Sequence, residues 1–92
     1  MARPTWFFVT SHGVLLIEVS RTPDATVRDL SARAGLTERQ THRVLNDLVD
    51  EGYIMRERIG RRNRYRVNER ASMRHPAVKN HRIGELLSVL GS

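Results

Sequence analysis

Two helical patterns joined by a tight turn, preceded by a third and followed by an arginine-rich hairpin pattern, predict a mainly α-helical domain with a small β-hairpin. This order is that of a winged helix-turn-helix: a three-helix core, a basic wing and a C-terminal helix. The 92 residues have room for one modest core, so 1–92 is read as a single domain.

The first helix is expected to open near Thr10 or Ser11, either of which can cap it, and to stop at Thr22-Pro23-Asp24. Val14, Leu15, Leu16, Ile17 and Val19 cover most of its circumference, so it is expected to be covered on more than one side. The second helix opens at Thr26, with Asp29 three residues on, close to a capping box. Val27, Leu30 and Ala34 form its inner stripe, and Gly35 ends it in the left-handed region. The third opens at Thr37, with Gln40 completing the box, and Gly52 stops it. Thr41, Val44, Leu45, Leu48 and Val49 share its inner face; Arg39, Arg43, Asn46 and Asp50 share the outer one.

Tyr53 to Arg58 favours a strand, Gly60-Arg61-Arg62-Asn63 a turn, and Arg64-Tyr65-Arg66-Val67 a second, alternating strand. Asn63 is read as a turn residue. The last helix is expected to start near Pro76 and to carry the apolar stripe Ile83, Leu86, Leu87, Leu90. That stripe lies so near the chain end that little of the same chain is expected to cover it. Trp6, Phe7 and Phe8 are three of the five aromatics and have few basic neighbours, so packing against helices is expected rather than base stacking.

The formal net charge is +6 and the isoelectric point is near 11.2. So basic a domain usually meets a polyanion, most commonly nucleic acid. Lys79 is the single lysine among the 16 Lys and Arg residues. Arginine offers a planar fork that pairs with phosphate or guanine through two hydrogen bonds. Arg56, Arg58, Arg61, Arg62, Arg64 and Arg66 stand in the hairpin against one acid, Glu57.

There is no cysteine, which excludes disulfides and cysteine-ligated metal. His12, His42, His75 and His81 have no metal-site spacing, so no metal or cofactor is expected. No serine elbow, carboxylate pair or phosphate-binding glycine loop stands out, and an enzyme is not expected. No apolar run reaches membrane-spanning length and no signal peptide is visible, so a cytoplasmic location without membrane contact is expected.

The segment Thr26 to Leu48 (TVRDLSARAGLTERQTHRVLNDL), followed by GYIMRERIGRRNRYRV, resembles the MarR-like and ArsR-like winged-helix regulators. Trp6-Phe7-Phe8-Val9-Thr10-Ser11-His12 and Arg74-His75-Pro76 through Gly84-Glu85-Leu86-Leu87 resemble flanks of small stand-alone members. The wing reads Arg58-Ile59-Gly60-Arg61, without the Asp-x-Arg of many MarR wings, and the cysteines of ArsR metal sensing are absent. The resemblance implies a regulator of double-stranded DNA whose Thr37–Glu51 helix enters the major groove. It does not indicate which small-molecule effector, if any, is sensed.

Residue chemistry agrees, because major-groove reading needs long hydrogen-bonding side chains near the start of the helix. Arg39, Gln40 and Arg43 have that place, with Thr37 and His42 at phosphates. Glu38 reads as a partner of the helix dipole. Asp47, Asp50 and Glu51 would repel phosphate and keep the C-terminal half out of the groove. Arg61, Arg62, Asn63 and Arg64 of the wing, and Thr26 and Arg28 of the second helix, complete the expected DNA-binding set. Residues of about 10–70 would form this DNA-binding core. The helix within 75–91 would make a homodimer through Ile83, Leu86, Leu87 and Leu90. Competing readings are an RNA-binding winged helix, which would want exposed aromatics, and a protein-interaction module, which would want an apolar or acidic third helix.

Overall fold

The computed structural model describes residues 7–91. Helix α1 spans Ser11–Arg21, its Thr10 hydroxyl accepting from the Gly13 N–H at 3.3 Å. It ends at Thr22, whose N–H still donates to the Glu18 carbonyl before Pro23 interrupts the ladder. Helix α2 spans Val27–Ala34 and opens with a reciprocal box: Asp29 N–H to the Thr26 hydroxyl, Thr26 N–H to the Asp29 carboxylate. Gly35 closes it at φ 68°, and Leu36 N–H returns to the Ser31 carbonyl at 3.0 Å. Two residues later Thr37 caps helix α3, Glu38–Asp50, through the Thr37–Gln40 box. The expected three-residue link of the helix-turn-helix is thus present.

Strand β1, Ile54–Ile59, pairs antiparallel with β2, Arg62–Val67, in the register Ile54 to Val67 through Ile59 to Arg62. Only Gly60 and Arg61 remain for the turn, with Gly60 at φ 62° and no other residue there at positive φ. Glycine at the first central position is the requirement of a two-residue type II′ turn, whose twist matches that of the strands. This corrects the longer turn expected at 60–63: Arg62 and Asn63 belong to β2, and Asn63 stands opposite Arg58. A turn using all four residues would have cost the ladder its last two pairs.

The core is built by Leu15, Leu16 and Val19 of α1, Leu30 of α2, Val44, Leu45 and Leu48 of α3, and Ile54 and Tyr65 of the hairpin. Ile83 and Leu87 of helix α4, Ile83–Leu90, belong to the same cluster. Thr41 is fully buried on the inner face of α3, its hydroxyl donating to the Thr37 carbonyl at 2.9 Å. Leu45 is 0% exposed at the centre of the cluster. Leu45→Ala is expected to cost about 2–5 kcal/mol, seen as a lowered midpoint in urea unfolding. An unchanged midpoint would mean that α3 does not seat there.

The C-terminal region departs from expectation. Pro76–Val78 forms one 3-10 turn, capped by the His75 ring accepting from Ala77 N–H, and α4 begins only at Ile83. Backbone bonds from Met73 N–H to the His81 carbonyl and from Ile83 N–H to the Ala71 carbonyl close a short two-stranded neck. That pairing holds Arg82 extended, at ψ 155°, so a helix cannot run through from Pro76. Beyond the neck α4 lies close to the chain: Gly84 N–H donates to the Glu69 carbonyl at 2.9 Å, and a Cβ at 84 would stand 3.1 Å from that oxygen. Ile83 and Leu87 are therefore covered by their own chain, contrary to the expectation for the stripe, while Leu86 and Leu90 are half-buried. Phe7 and Phe8 also depart from expectation: they are 80% and 94% exposed rather than packed on helices. Trp6 lies outside the described residues.

Candidate nucleic-acid interface

The interface is built on the outer face of α3. Its inner face is fixed by Thr41, Val44, Leu45 and Leu48, so helical geometry turns Arg39, Gln40, His42 and Arg43 outward, and all four are exposed. Arg39 and Arg43 have no hydrogen bond or ion pair with another described residue. Gln40 is also exposed, but its side-chain oxygen accepts from Thr37 N–H at 3.0 Å, leaving its amide NH2 as the group free to reach outward. The Thr37 hydroxyl accepts from Gln40 N–H at 3.0 Å, and its own proton remains available to an acceptor such as phosphate.

The acids toward the end of α3 are partly occupied. Asp47 meets His12 of α1 at 2.8 Å, and Glu51 meets Arg74 at 2.6 Å. Arg74 is held from a second side, its N–H donating to the Tyr53 hydroxyl at 2.6 Å. Asn46 accepts from Arg56 of β1, which ties α3 to the hairpin. The Arg56 guanidinium also lies 5.6 Å from the Tyr65 ring centre, the cross-strand partner in the register. The arginines of α3, Arg39 and Arg43, thus stand on its N-terminal half, where the helix dipole has its positive end.

The hairpin arginines separate into engaged and open groups. Arg61, at the turn, is exposed and has no hydrogen bond or ion pair with another described residue. Arg58 Nε donates to the Gly60 carbonyl at 3.1 Å and stiffens the turn. Arg62 donates to the Asp24 carbonyl oxygen at 2.5 Å, and Arg64 stands 3.5 Å from the Asp24 carboxylate. Asn63 is half-buried within β2.

In α2, Thr26 is occupied as the cap and Arg28 is exposed in the first turn. Asp29 has its carboxyl pKa lowered chiefly by the Thr26 backbone N–H and then by the Thr26 hydroxyl, with smaller contributions from Arg33 and Arg62. A carboxylate lowered in this way stabilises the fold above its unfolded pKa. The contribution is lost as pH falls through the folded value, in the acid range. Two residues escaped sequence reasoning: Asp24, which meets the wing, and Asn46, which ties it to α3. Neither is signalled by a motif, because each contact depends on where the strands place an arginine. Of the remaining histidines, His81 bonds Glu85 at 2.6 Å, and His42 lies exposed on the outer face of α3.

Three helices, a tight turn between the second and third, and a two-stranded hairpin after the third define a winged helix-turn-helix with its basic residues on the outer helix face and the wing. The sequence pattern of the MarR family matches residues 10–64, more than half of the chain, from the α1 cap into β2. The chain belongs to the MarR family, whose members are DNA-binding transcriptional regulators rather than enzymes. No curated protein matches the chain. Among the described residues, no helix is long and apolar enough to cross a membrane.

Proposed function

We propose that this protein is a sequence-specific regulator of double-stranded DNA that places the N-terminal half of α3 in the major groove. The observation that carries the reading is the pair Arg39 and Arg43, exposed on that half while the acids further along are partly tied to His12 and Arg74. Long donors near the start of a helix suit guanine O6 and N7, with the Gln40 amide and Thr37 hydroxyl beside them. Arg28 and His42 flank this face, and the wing, led by Arg61, lies against phosphates or a minor groove. Residues 10–70 make this DNA-binding core, and the location is cytoplasmic, where the DNA of such a regulator would be met.

The partner in assembly is a second copy. Phe7, Phe8 and Val89 are exposed, at 80%, 94% and 74%, and the half-buried Val9, Val14, Ile17 and Leu90 line one cavity of about 260 Å³ with Glu18 and Arg21. This brings the N-terminal segment, α1 and the end of α4 to one apolar surface, which suits a self-complementary two-fold contact. Of the stripe within residues 75–91, Leu86 and Leu90 are the members left to meet a partner. Two α3 helices would then address half-sites about 34–36 Å apart.

The test is a titration of one duplex, and of RNA of the same sequence, at several salt concentrations. The DNA duplex is expected to bind more tightly, with log K falling linearly against log salt. Arg61→Ala is expected to flatten that slope by about 0.9 per protomer if Arg61 meets phosphate. It should weaken specific and non-specific duplexes alike, since a phosphate contact carries little sequence information. Tighter binding to RNA would reject the DNA reading. An unchanged slope and affinity for Arg61→Ala would remove that residue from the interface.

A further inference from the structure

We propose that Asp24 is a guard on the wing: in the free protein it occupies arginines that DNA would otherwise recruit, and so lowers affinity for DNA of any sequence. The inference rests on the DNA-binding reading above and concerns a residue outside the helix and hairpin that carry it.

Asp24 lies in the link between α1 and α2, beside β2 of the hairpin. It meets β2 twice, with its carbonyl oxygen accepting from Arg62 at 2.5 Å and its carboxylate 3.5 Å from Arg64. Arg62 and Arg64 are two residues apart in one strand, so they share a face and one acceptor residue can hold both. Glu57, opposite Arg64 in the register, is the acid of the hairpin itself, but the ion pair of Arg64 is with Asp24. Asp29, at the start of α2, adds negative charge on the same side and is itself affected by Arg62.

The contact is made to be exchanged rather than to hold the fold. The Asp24 side chain is 83% exposed and that of Arg64 43%, so the pair is an exposed one and weak. The link keeps its shape through backbone instead, Ala25 N–H donating to the Thr22 carbonyl at 3.0 Å. A backbone phosphate offers the same guanidinium an equal charge within a dense polyanion, and the contact releases counterions, so DNA can displace the carboxylate. The displaced carboxylate then remains beside the phosphate and repels it. Both steps disfavour binding independently of base sequence. The base-reading contacts of α3 retain their full discrimination above a lower non-specific background.

The experiment compares the full-length protein with Asp24→Ala on a preferred duplex, selected from a random library, and on a scrambled duplex. Asp24→Ala frees Arg64 alone, since the main-chain carbonyl that holds Arg62 is kept, and is expected to tighten both by about two- to fivefold per protomer, the worth of one exposed ion pair. The gain should shrink as salt rises. Placed in an Arg64→Ala background, the same substitution should give a markedly smaller gain, because the arginine it frees is gone. An equal gain in that background would show a general charge effect and overturn the guard. Unchanged affinity would overturn it too, and weaker binding by a variant with an unaltered thermal midpoint would make Asp24 a residue that positions the wing. If the wild type itself fails to bind duplex DNA, the functional reading fails first, and the two failures are thereby distinguished.

Discussion

A chain ending at Arg82 is expected to lose cooperative folding. Such a chain lacks Ile83 and Leu87, which are 3% and 6% exposed in the same cluster as Leu15 and Leu16. Burial of each is worth about 1.5–3 kcal/mol by transfer alone. The space they vacate costs more, since neighbours relax only partly into a cavity. The truncation also removes the bonds from Ile83 N–H to Ala71 and from Gly84 N–H to Glu69, and the Arg21 bond to the Leu90 carbonyl. Together these losses rival the whole stability of a small domain, about 5–15 kcal/mol. Far-ultraviolet circular dichroism through a thermal ramp reads the result. A cooperative transition within a few degrees of the full chain's would show that α4 is an appendage rather than part of the core. The reason differs from the one the sequence offered: the chain fails because its own core is opened, before any loss of a partner copy.

Arg43→Ala is expected to produce the largest loss of DNA binding that leaves the fold intact. Arg43 is exposed, and the inner residues Thr41, Val44 and Leu45 are untouched by its removal, so the unfolding midpoint should move little. One bidentate contact to guanine is worth about 1–3 kcal/mol. In the proposed dimer the residue serves both half-sites, so the preferred duplex should lose about 2–6 kcal/mol in all. The scrambled duplex should lose far less, which separates this variant from those of the wing. Competition binding with the preferred duplex and variants altered at one base pair measures both quantities. Equal losses on both duplexes would reassign Arg43 to a phosphate. No loss on either would place a different face of α3 against the DNA.

Much of the architecture could be read from local chemistry. Thr26 with Asp29 and Thr37 with Gln40 mark the helix starts because the bonds that define them lie within four residues, and Gly35 marks the turn for the same reason. The inner face of α3 follows from a period that any alternative register would break. What was misread depended on partners distant in sequence. The start of α4 is decided by pairing of residues 71–73 with 81–83, and no local propensity reports that pairing. Pro76 signals a helical turn, and one forms, but only one. Arg62 and Asn63 suit loops as well as strands, so only the cross-strand register shows that the hairpin turn is two residues long. The neighbours of Phe7 and Phe8 in the sequence argue against base stacking but do not report what lies opposite the rings, and their exposure depends on that. For the candidate site, the outward arginines of α3 followed from periodicity. Their freedom to bind, and the occupation of Arg62 and Arg64 by Asp24, did not.

The neck formed by residues 71–73 and 81–83 has a consequence for how this chain can vary. It closes off the excursion from His75 to Asn80, because the chain on its two sides is already joined by backbone bonds. Its members from His75 to Asn80 are exposed. Lengthening such a closed loop costs only about 0.6 kcal/mol for each doubling, since the entropy of holding its ends together grows only with the logarithm of its length. Insertions and deletions can therefore accumulate there while α4 stays seated, and with it the core on which α3 rests. The same place is where a tag or reporter would be tolerated within the chain, remote in the sequence from the helix and hairpin assigned to DNA.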